Sequence, residues 1–168
     1  VCRPNITMKR NSSGGSEADR KRWEWRKSYW EAIHQHMKTG KLPFNLQRPG
    51  EDHWSSISIG RSGFHVSMLL TPKNQSIAVE VVVQPEWKAS AFEQLQSQAE
   101  AIHEDLGREL QWRPMPEKQS ARILLEEKLD PGNEGNRKLV CEWFKEWTPK
   151  IYLAFRDRIK ALNEPEEA

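Results

Sequence analysis

The 168-residue sequence has no long apolar run, only two cysteines and almost no net charge. A membrane-spanning helix needs roughly 20 mostly apolar residues in succession, and no stretch of the sequence supplies them. Cys2 and Cys141 are far apart and form no CxxC pair, which excludes a disulfide framework and a cysteine-rich zinc site. The 26 Lys and Arg against 24 Asp and Glu leave a charge of only +2, so the chain as a whole is not strongly basic. The apparent lack of an apolar leader predicts a cytoplasmic protein.

The small net charge conceals an uneven distribution. Residues 1–30 contain eight basic and three acidic side chains, residues 31–162 are neutral, and residues 163–168 carry a charge of −3. Basic N-terminal segments contact phosphate backbones in many proteins, and a solvated tail with a charged helix face is the alternative. The basic residues of the first predicted helix are Arg20, Lys21, Arg22, Arg26 and Lys27.

Composition and length predict one folded domain. Eight Trp are present, whereas disordered chains are poor in large apolar groups. Residues 1–15 end in a Gly- and Ser-rich stretch and are predicted to form a flexible linker or tail. Residues 16–162 form the predicted domain, and residues 163–168 an acidic tail.

Hydrophobic periodicity predicts the element order α-βββ-α-ββ-α. Ser16, with Asp19 three residues later, is a helix start, and Gly40 is a stop signal. Thr148-Pro149 interrupts the last helical pattern and predicts a kink or two helices in series. Short turns between strands permit only antiparallel neighbours, so we expect an α+β fold: an antiparallel sheet of about five strands with helices packed on one face. The predicted strands cover residues 54–59, 64–70, 77–83, 110–113 and 121–126, and the middle helix residues 92–106.

The most distinctive local pattern is the turn Gly60-Arg61-Ser62-Gly63. Glycine allows close backbone approach, Ser62 donates a hydrogen bond, and Arg61 has the fork that binds phosphate or carboxylate. The turn lacks the P-loop lysine and does not lead directly into a helix. Anion binding is one interpretation, and a tight β-turn with Arg61 in a surface or structural pair is the other.

A second candidate site lies on the sheet itself. Strand alternation places His65, Ser67 and Arg122 on the face opposite the apolar stripe, where they are predicted to form an anion-binding surface. Solvated or hydrogen-bonded strand residues are the alternative. Trp54 lies near a strand end, where its ring either stacks on a base or partner or covers the edge of the core.

No pattern predicts catalysis, a metal or a cofactor. A metal-dependent nuclease needs clustered carboxylates and a lysine, and Glu80 stands in mid-strand without that lysine two positions later. His34 and His36 are two apart on a helix, which is poor spacing for one metal ion. A nuclease centred on Glu80 stays an alternative.

Three blocks of sequence resemble a prokaryotic domain-of-unknown-function family, four-two-six-eight. They are His53-Trp54 with SIGRSGFHVS (58–67), Leu110-Gln111-Trp112 with SARI (120–123), and Trp143-Phe144 with PKI (149–151). The resemblance covers about residues 29–162 and implies no catalytic residue. It does imply context, because members often form the C-terminal part of proteins with a restriction-endonuclease-like N-terminal half. The chain beginning at Val1 is accordingly expected to be a piece of such a protein.

The resulting functional hypothesis is a non-catalytic accessory domain of a nucleic-acid-processing or phage-defence protein. It would contact the phosphate backbone or position a linked nuclease domain, with DNA and that domain as partners. The first alternative is a protein-interaction or dimerisation module that forms homo-oligomers. The second alternative is the metal-dependent nuclease. The predicted anion-binding residues are Arg61, Ser62, Gly63, His65 and Arg122, together with Arg22, Arg26 and Lys27 of the first helix.

Overall fold

The computed structural model describes residues 15–116 and 119–163. Residues 1–14 of the predicted linker, residues 164–168 of the predicted acidic tail, and Cys2 lie outside them. In the described part of the chain, no helix combines the length and apolar character that a membrane crossing requires. The elements are α1 (Glu17–Met37), β1 (Trp54–Ser58), β2 (Phe64–Thr71), β3 (Ser76–Val83), α2 (Ala99–Leu106), β4 (Gln111–Arg113), β5 (Ala121–Glu127) and α3 (Arg137–Lys160).

The five strands form one antiparallel sheet with the order β1-β2-β3-β5-β4, which confirms the α+β prediction. Strand β3 lies at the centre and is buried along its whole length. Val79 and Val81 belong to the core that the helices cover, whereas Ala78 and Val82 are buried outside that core cluster. Because side chains alternate along a strand, these two sets point to opposite faces of the sheet, and the helices of the described residues pack on the face of Val79 and Val81.

Helix α1 begins at the capping box predicted from the sequence. The Ser16 hydroxyl accepts from the Asp19 backbone N–H at 3.1 Å, and the Asp19 carboxylate accepts from the Ser16 N–H at 3.2 Å. Trp30 and Met37 are fully buried, and Trp30 also donates from Nε1 to the Asp52 carbonyl at 2.8 Å. Trp23, predicted on the same stripe, is only half-buried. The Trp30 hydrogen bond ties α1 to the loop that leads into β1.

The helix predicted for residues 92–106 is present but not continuous, and helical structure begins earlier than predicted. The chain instead forms an α-helical turn at Pro85–Trp87, a π-helical segment at Lys88–Phe92 and a further turn at Glu93–Gln96 before α2. Trp87 packs on Phe64 and Phe92 packs on Trp112, so both rings face the sheet. Trp87 and Phe92 are five residues apart, and residues at this spacing do not lie on the same face of an α-helix. The wider turn of the π-helical segment between them brings the two rings closer to the same face.

Of the two alternatives predicted for Thr148-Pro149, two helices in series is wrong, and a kink stays a prediction. One helix, α3, runs continuously through Pro149. An interior proline removes one hydrogen bond and costs about 3 kcal/mol. Phe144 before it and Phe155 after it are both fully buried in the same core. Burial of the apolar stripe on both sides therefore outweighs the local cost of the proline.

Candidate functional site

The helix-free side of the sheet carries a polar surface, which we call the open face. Ser56, Ser67 and Glu80 are cross-strand neighbours on this surface. His65 of β2 and Arg122 of β5 also lie on it, as the cross-strand partners of Val82 of β3. Strand alternation thus confirms that His65, Ser67 and Arg122 share the face opposite the core. We limit the name open face to eight residues of this side, although Val82, Leu124 and Glu126 are among others that alternate to it. The eight are Trp54, Ser56, His65, Ser67, Leu69, Glu80, Arg113 and Arg122.

A cavity of about 310 Å³ opens on this face. It is lined by every residue of the open face except Arg113, and His53 completes the wall. Its polar groups are one carboxylate, one guanidinium, two hydroxyls and two imidazoles, and its apolar groups are Trp54 and Leu69. The cavity therefore offers hydrogen-bond donors and acceptors beside a flat aromatic ring.

An ion pair between a half-exposed arginine and a buried carboxylate forms the floor of the cavity. Arg122 donates from Nη1 to Oε1 of Glu80, whose side chain is 6% exposed against 40% for Arg122. Burial raises the pKa of Glu80 above its ordinary value, and the nearby guanidinium of Arg122 opposes that rise. No other side chain of the described residues donates a hydrogen bond to Glu80. Its second carboxylate oxygen is therefore left as an acceptor.

Two arginines stand directly opposite each other at the far side of the open face. Arg113 of edge strand β4 is the cross-strand partner of Arg122. Like charges in such positions repel, and among the described residues the ion pair that either arginine makes is that of Arg122 with Glu80, whose carboxylate also lies within the electrostatic influence of Arg113. Arg113 is exposed, and its side chain donates to the Gln111 side chain. The group formed by Arg113, Arg122 and Glu80 therefore has a net charge of +1 when all three side chains are ionised.

The two histidines of the cavity act as neutral groups near pH 7. Burial lowers the pKa of His65, and the charge of Arg122 lowers it further. Burial also lowers the pKa of His53, with a further contribution from Arg26 of α1. A neutral imidazole has one donor and one acceptor nitrogen. Each ring can therefore both donate and accept a hydrogen bond with a ligand while adding no positive charge to the cavity.

The Gly60–Gly63 turn lies against the helices and does not line the cavity. Arg61 donates from Nη1 to the carbonyls of Ile159 and Leu162, at 2.7 and 3.0 Å, and stacks 4.5 Å over the Trp87 ring. These contacts cap the C-terminal end of α3. They agree with the interpretation of Arg61 as a structural residue of a tight turn. Anion binding by Arg61 and the exposed Ser62 stays a prediction.

The basic residues of α1 differ in what they contact. Arg22 pairs with Asp19 at 2.9 Å, and Arg26 donates to the Glu51 carbonyl at 3.4 Å beside the loop that carries His53. The exposed basic residues of α1 that make no ion pair with the described residues are Arg20, Lys21 and Lys27.

The sequence pattern of the family described as "Domain of unknown function (DUF4268)" matches residues 25–159. The chain belongs to this family. The resemblance inferred from the sequence is thereby confirmed. Comparisons with curated proteins and with solved structures give no match.

The structure of this DUF4268 chain brings together only part of the predicted site. His65 and Arg122 line one cavity, whereas Arg61, Ser62 and Gly63 lie in the turn beside Trp87 and the end of α3. Among residues 15–116 and 119–163, no three His, Cys, Asp or Glu side chains are grouped as metal ligands.

Sequence reasoning missed Arg113 and Ser56 as site residues. Arg113 precedes the Pro114–Pro116 turn, and pairing the two strands around that turn would have placed it opposite Arg122. Ser56 lies in the first predicted strand, residues 54–59, where no sequence pattern marks it as a site residue. Its place in the cavity depends on the register of β1 against Ser67 of β2.

Proposed function

We propose that this domain is a non-catalytic accessory domain that contacts the phosphates of nucleic acid through its open face. The observation that carries the proposal is the cross-strand pair Arg113 and Arg122, which makes one ion pair with the described residues, that of Arg122 with Glu80. An uncompensated pair of guanidinium groups weakens a sheet unless a further anion neutralises it. An extended polyanion is the ligand that such a surface suits.

Guanidinium geometry favours phosphate as that anion. Each guanidinium presents its N–H groups in a planar fork that matches two oxygens of one phosphate. Arg122 uses Nη1 on Glu80 and keeps its other donors, and Arg113 is exposed at the sheet edge. Successive phosphates of one strand would pass along the β4–β5 side of the cavity.

Helix α1 brings one cation, Arg26, near the opposite side of the cavity. Arg26 lies beside the loop that enters β1, close to His53 in the cavity wall. Arg20, Lys21 and Lys27 are exposed further along the same helix. Arg26 near one side of the cavity and Arg113 with Arg122 at the other support a ligand that crosses the open face, as a nucleic-acid strand does.

The proposal is tested by binding labelled oligonucleotides, single-stranded and duplex, to the whole chain over a range of salt. Log Kd should rise with log salt by about 0.7 for each phosphate contact on a single strand. Arg113→Gln should weaken binding and lower that slope by about 0.7. Lys138→Gln, an exposed residue of α3 on the helix side, is the matched control and should change neither. Absent or salt-independent binding would refute the proposal.

A second candidate is a protein-interaction module, which exposed leucines on α3 favour. Leu139 and Leu153 are 54% and 47% exposed. They are separated by 14 residues, so they lie on roughly the same side of the helix. A molar mass that stays monomeric at high concentration would count against self-association through them.

A further inference from the structure

We infer that the cavity of the open face receives one unpaired nucleobase, so that the domain prefers single strands to duplexes. The inference rests on the proposed nucleic-acid contact. It goes further by naming the base as the part of the nucleic acid that enters the cavity. It comes from Trp54 at the cavity wall, the Glu80 carboxylate at its floor, and the small size of the space between them.

Trp54 presents a flat aromatic surface to the cavity. Its side chain is 44% exposed, although tryptophan usually buries most of its area. The His53 ring packs edge-on against it, with centroids 4.8 Å apart and planes at 90°. This contact restrains the indole and leaves exposed surface on which a base can stack.

The floor of the cavity suits a neutral polar ligand better than a phosphate. The Glu80 carboxylate repels an anion, whereas it accepts hydrogen bonds from the N–H groups of a base. Arg122 donates to base carbonyl or ring nitrogen atoms, as arginine does at base edges. The hydroxyls of Ser56 and Ser67 lie 3.4 Å apart and serve as donors or acceptors. A base edge, which carries donors and acceptors side by side, matches this set.

The volume of the cavity limits what enters it. About 310 Å³ lies at the lower end of small-ligand sites, which suits one base with part of its sugar. A base inside a duplex is stacked on both faces and paired along its edge. It would have to be flipped out at a cost of a few kcal/mol before it met Trp54 and Glu80. Phosphates then lie outside the cavity, where Arg113 is exposed.

The test compares strands that differ only in their bases. Labelled ten-nucleotide single strands with bases, abasic strands of the same phosphate count, and the matching duplex are titrated into the whole chain. We expect base-bearing strands to bind about five- to 150-fold more tightly than abasic ones. Trp54→Ala should remove most of this ratio, and Trp54→Phe should retain most of it.

Two further variants separate stacking from phosphate contact. Arg113→Gln should lower the salt slope and keep the base-to-abasic ratio. Ser67→Ala should lower the ratio and keep the slope. Melting curves check the fold of each variant, and the exposure of Trp54 makes Trp54→Ala tolerable.

The outcomes distinguish the inference from the proposed function. Equal affinity for base-bearing and abasic strands, or tighter binding of the duplex, overturns the inference while salt-dependent phosphate binding still stands. Absence of binding to all three probes overturns both. An unchanged ratio in a folded Trp54→Ala protein also overturns the inference.

Discussion

Replacing Gly63 by alanine places a methyl group against the indole of Trp87. An added Cβ would lie 2.3 Å from Trp87 Cδ1 and 2.6 Å from Nε1, far inside van der Waals contact. The backbone at Gly63 has φ of +94°, which alanine adopts with difficulty. Trp87 must therefore move, and its movement disturbs the stacked Arg61 and the adjacent Phe64 ring.

The expected loss has three parts. The left-handed backbone costs an alanine about 1–2 kcal/mol. Overpacking against Trp87 costs about 1–3 kcal/mol. Weakening of the Arg61 cation–π contact costs up to about 1 kcal/mol. We expect Gly63→Ala to lower the free energy of unfolding by about 2–6 kcal/mol, a large share of the 5–15 kcal/mol typical of a domain.

Gly60→Ala is the matched control. Gly60 has a similar φ of +89°, but its nearest neighbour would be the flexible Lys160 side chain at 3.7 Å. It should lose only the backbone part, about 1–2 kcal/mol. Urea denaturation of both variants measures the difference, and the same substitution in a Trp87→Ala background should recover the steric part. Equal losses at the two glycines, or no recovery without Trp87, would refute the steric explanation.

Three further substitutions test other contacts of the fold. Arg61→Ala should lower the free energy of unfolding in urea by about 2–3 kcal/mol, because it removes the hydrogen bonds to the end of α3 and the Trp87 contact, and Arg61→Lys should lose less. Arg122→Ala leaves the Glu80 carboxylate buried without its half-exposed partner and should cost about 1–3 kcal/mol at neutral pH. Because the pKa of Glu80 is raised, that deficit should be small below pH 4.5 and grow as pH rises through the raised value, as urea midpoints against pH would show. Burial lowers the pKa of His34 from 6.5 to about 4. The contribution of neutral His34 to stability should therefore be lost as pH falls from 6.5 to about 4. His34→Gln should flatten the pH dependence of the melting temperature over this interval.

Each of these expectations has an outcome that contradicts it. Arg61→Ala with unchanged stability but weaker oligonucleotide binding would restore the anion-binding interpretation of that residue. A deficit of Arg122→Ala that does not depend on pH would show that Glu80 does not carry it. An identical pH profile for His34→Gln and the parent protein would assign the acid sensitivity to another group.

Local features of the fold were predictable because they depend on neighbouring residues. The capping box of α1 needs only Ser16 and Asp19, which are three residues apart. Strand alternation placed His65, Ser67 and Arg122 on one face, and the short turns required antiparallel pairing. The wrong predictions occur where packing outweighs local preference, as at Pro149 inside α3.

The candidate site was only half predictable for the same reason. Alternation shows which face a side chain is on, but it does not show which strand lies beside it. Arg113 became part of the open face through the register of β4 against β5. Glu80 became a partner of Arg122 across 42 residues of chain, which no local pattern shows.

Arg61 and Glu80 show where local pattern ends and tertiary structure begins. Neighbouring residues alone determine that Arg61 stands in a glycine turn and that Glu80 points away from an apolar stripe, because φ preferences and the two-residue period of a strand act over a few residues. Only the folded chain brings Arg61 to a carbonyl 98 residues away and leaves the face around Glu80 without a covering helix. Hydrogen bonds and burial act through distance in space, so the choice of partner, and with it the candidate site, is decided when distant segments pack together.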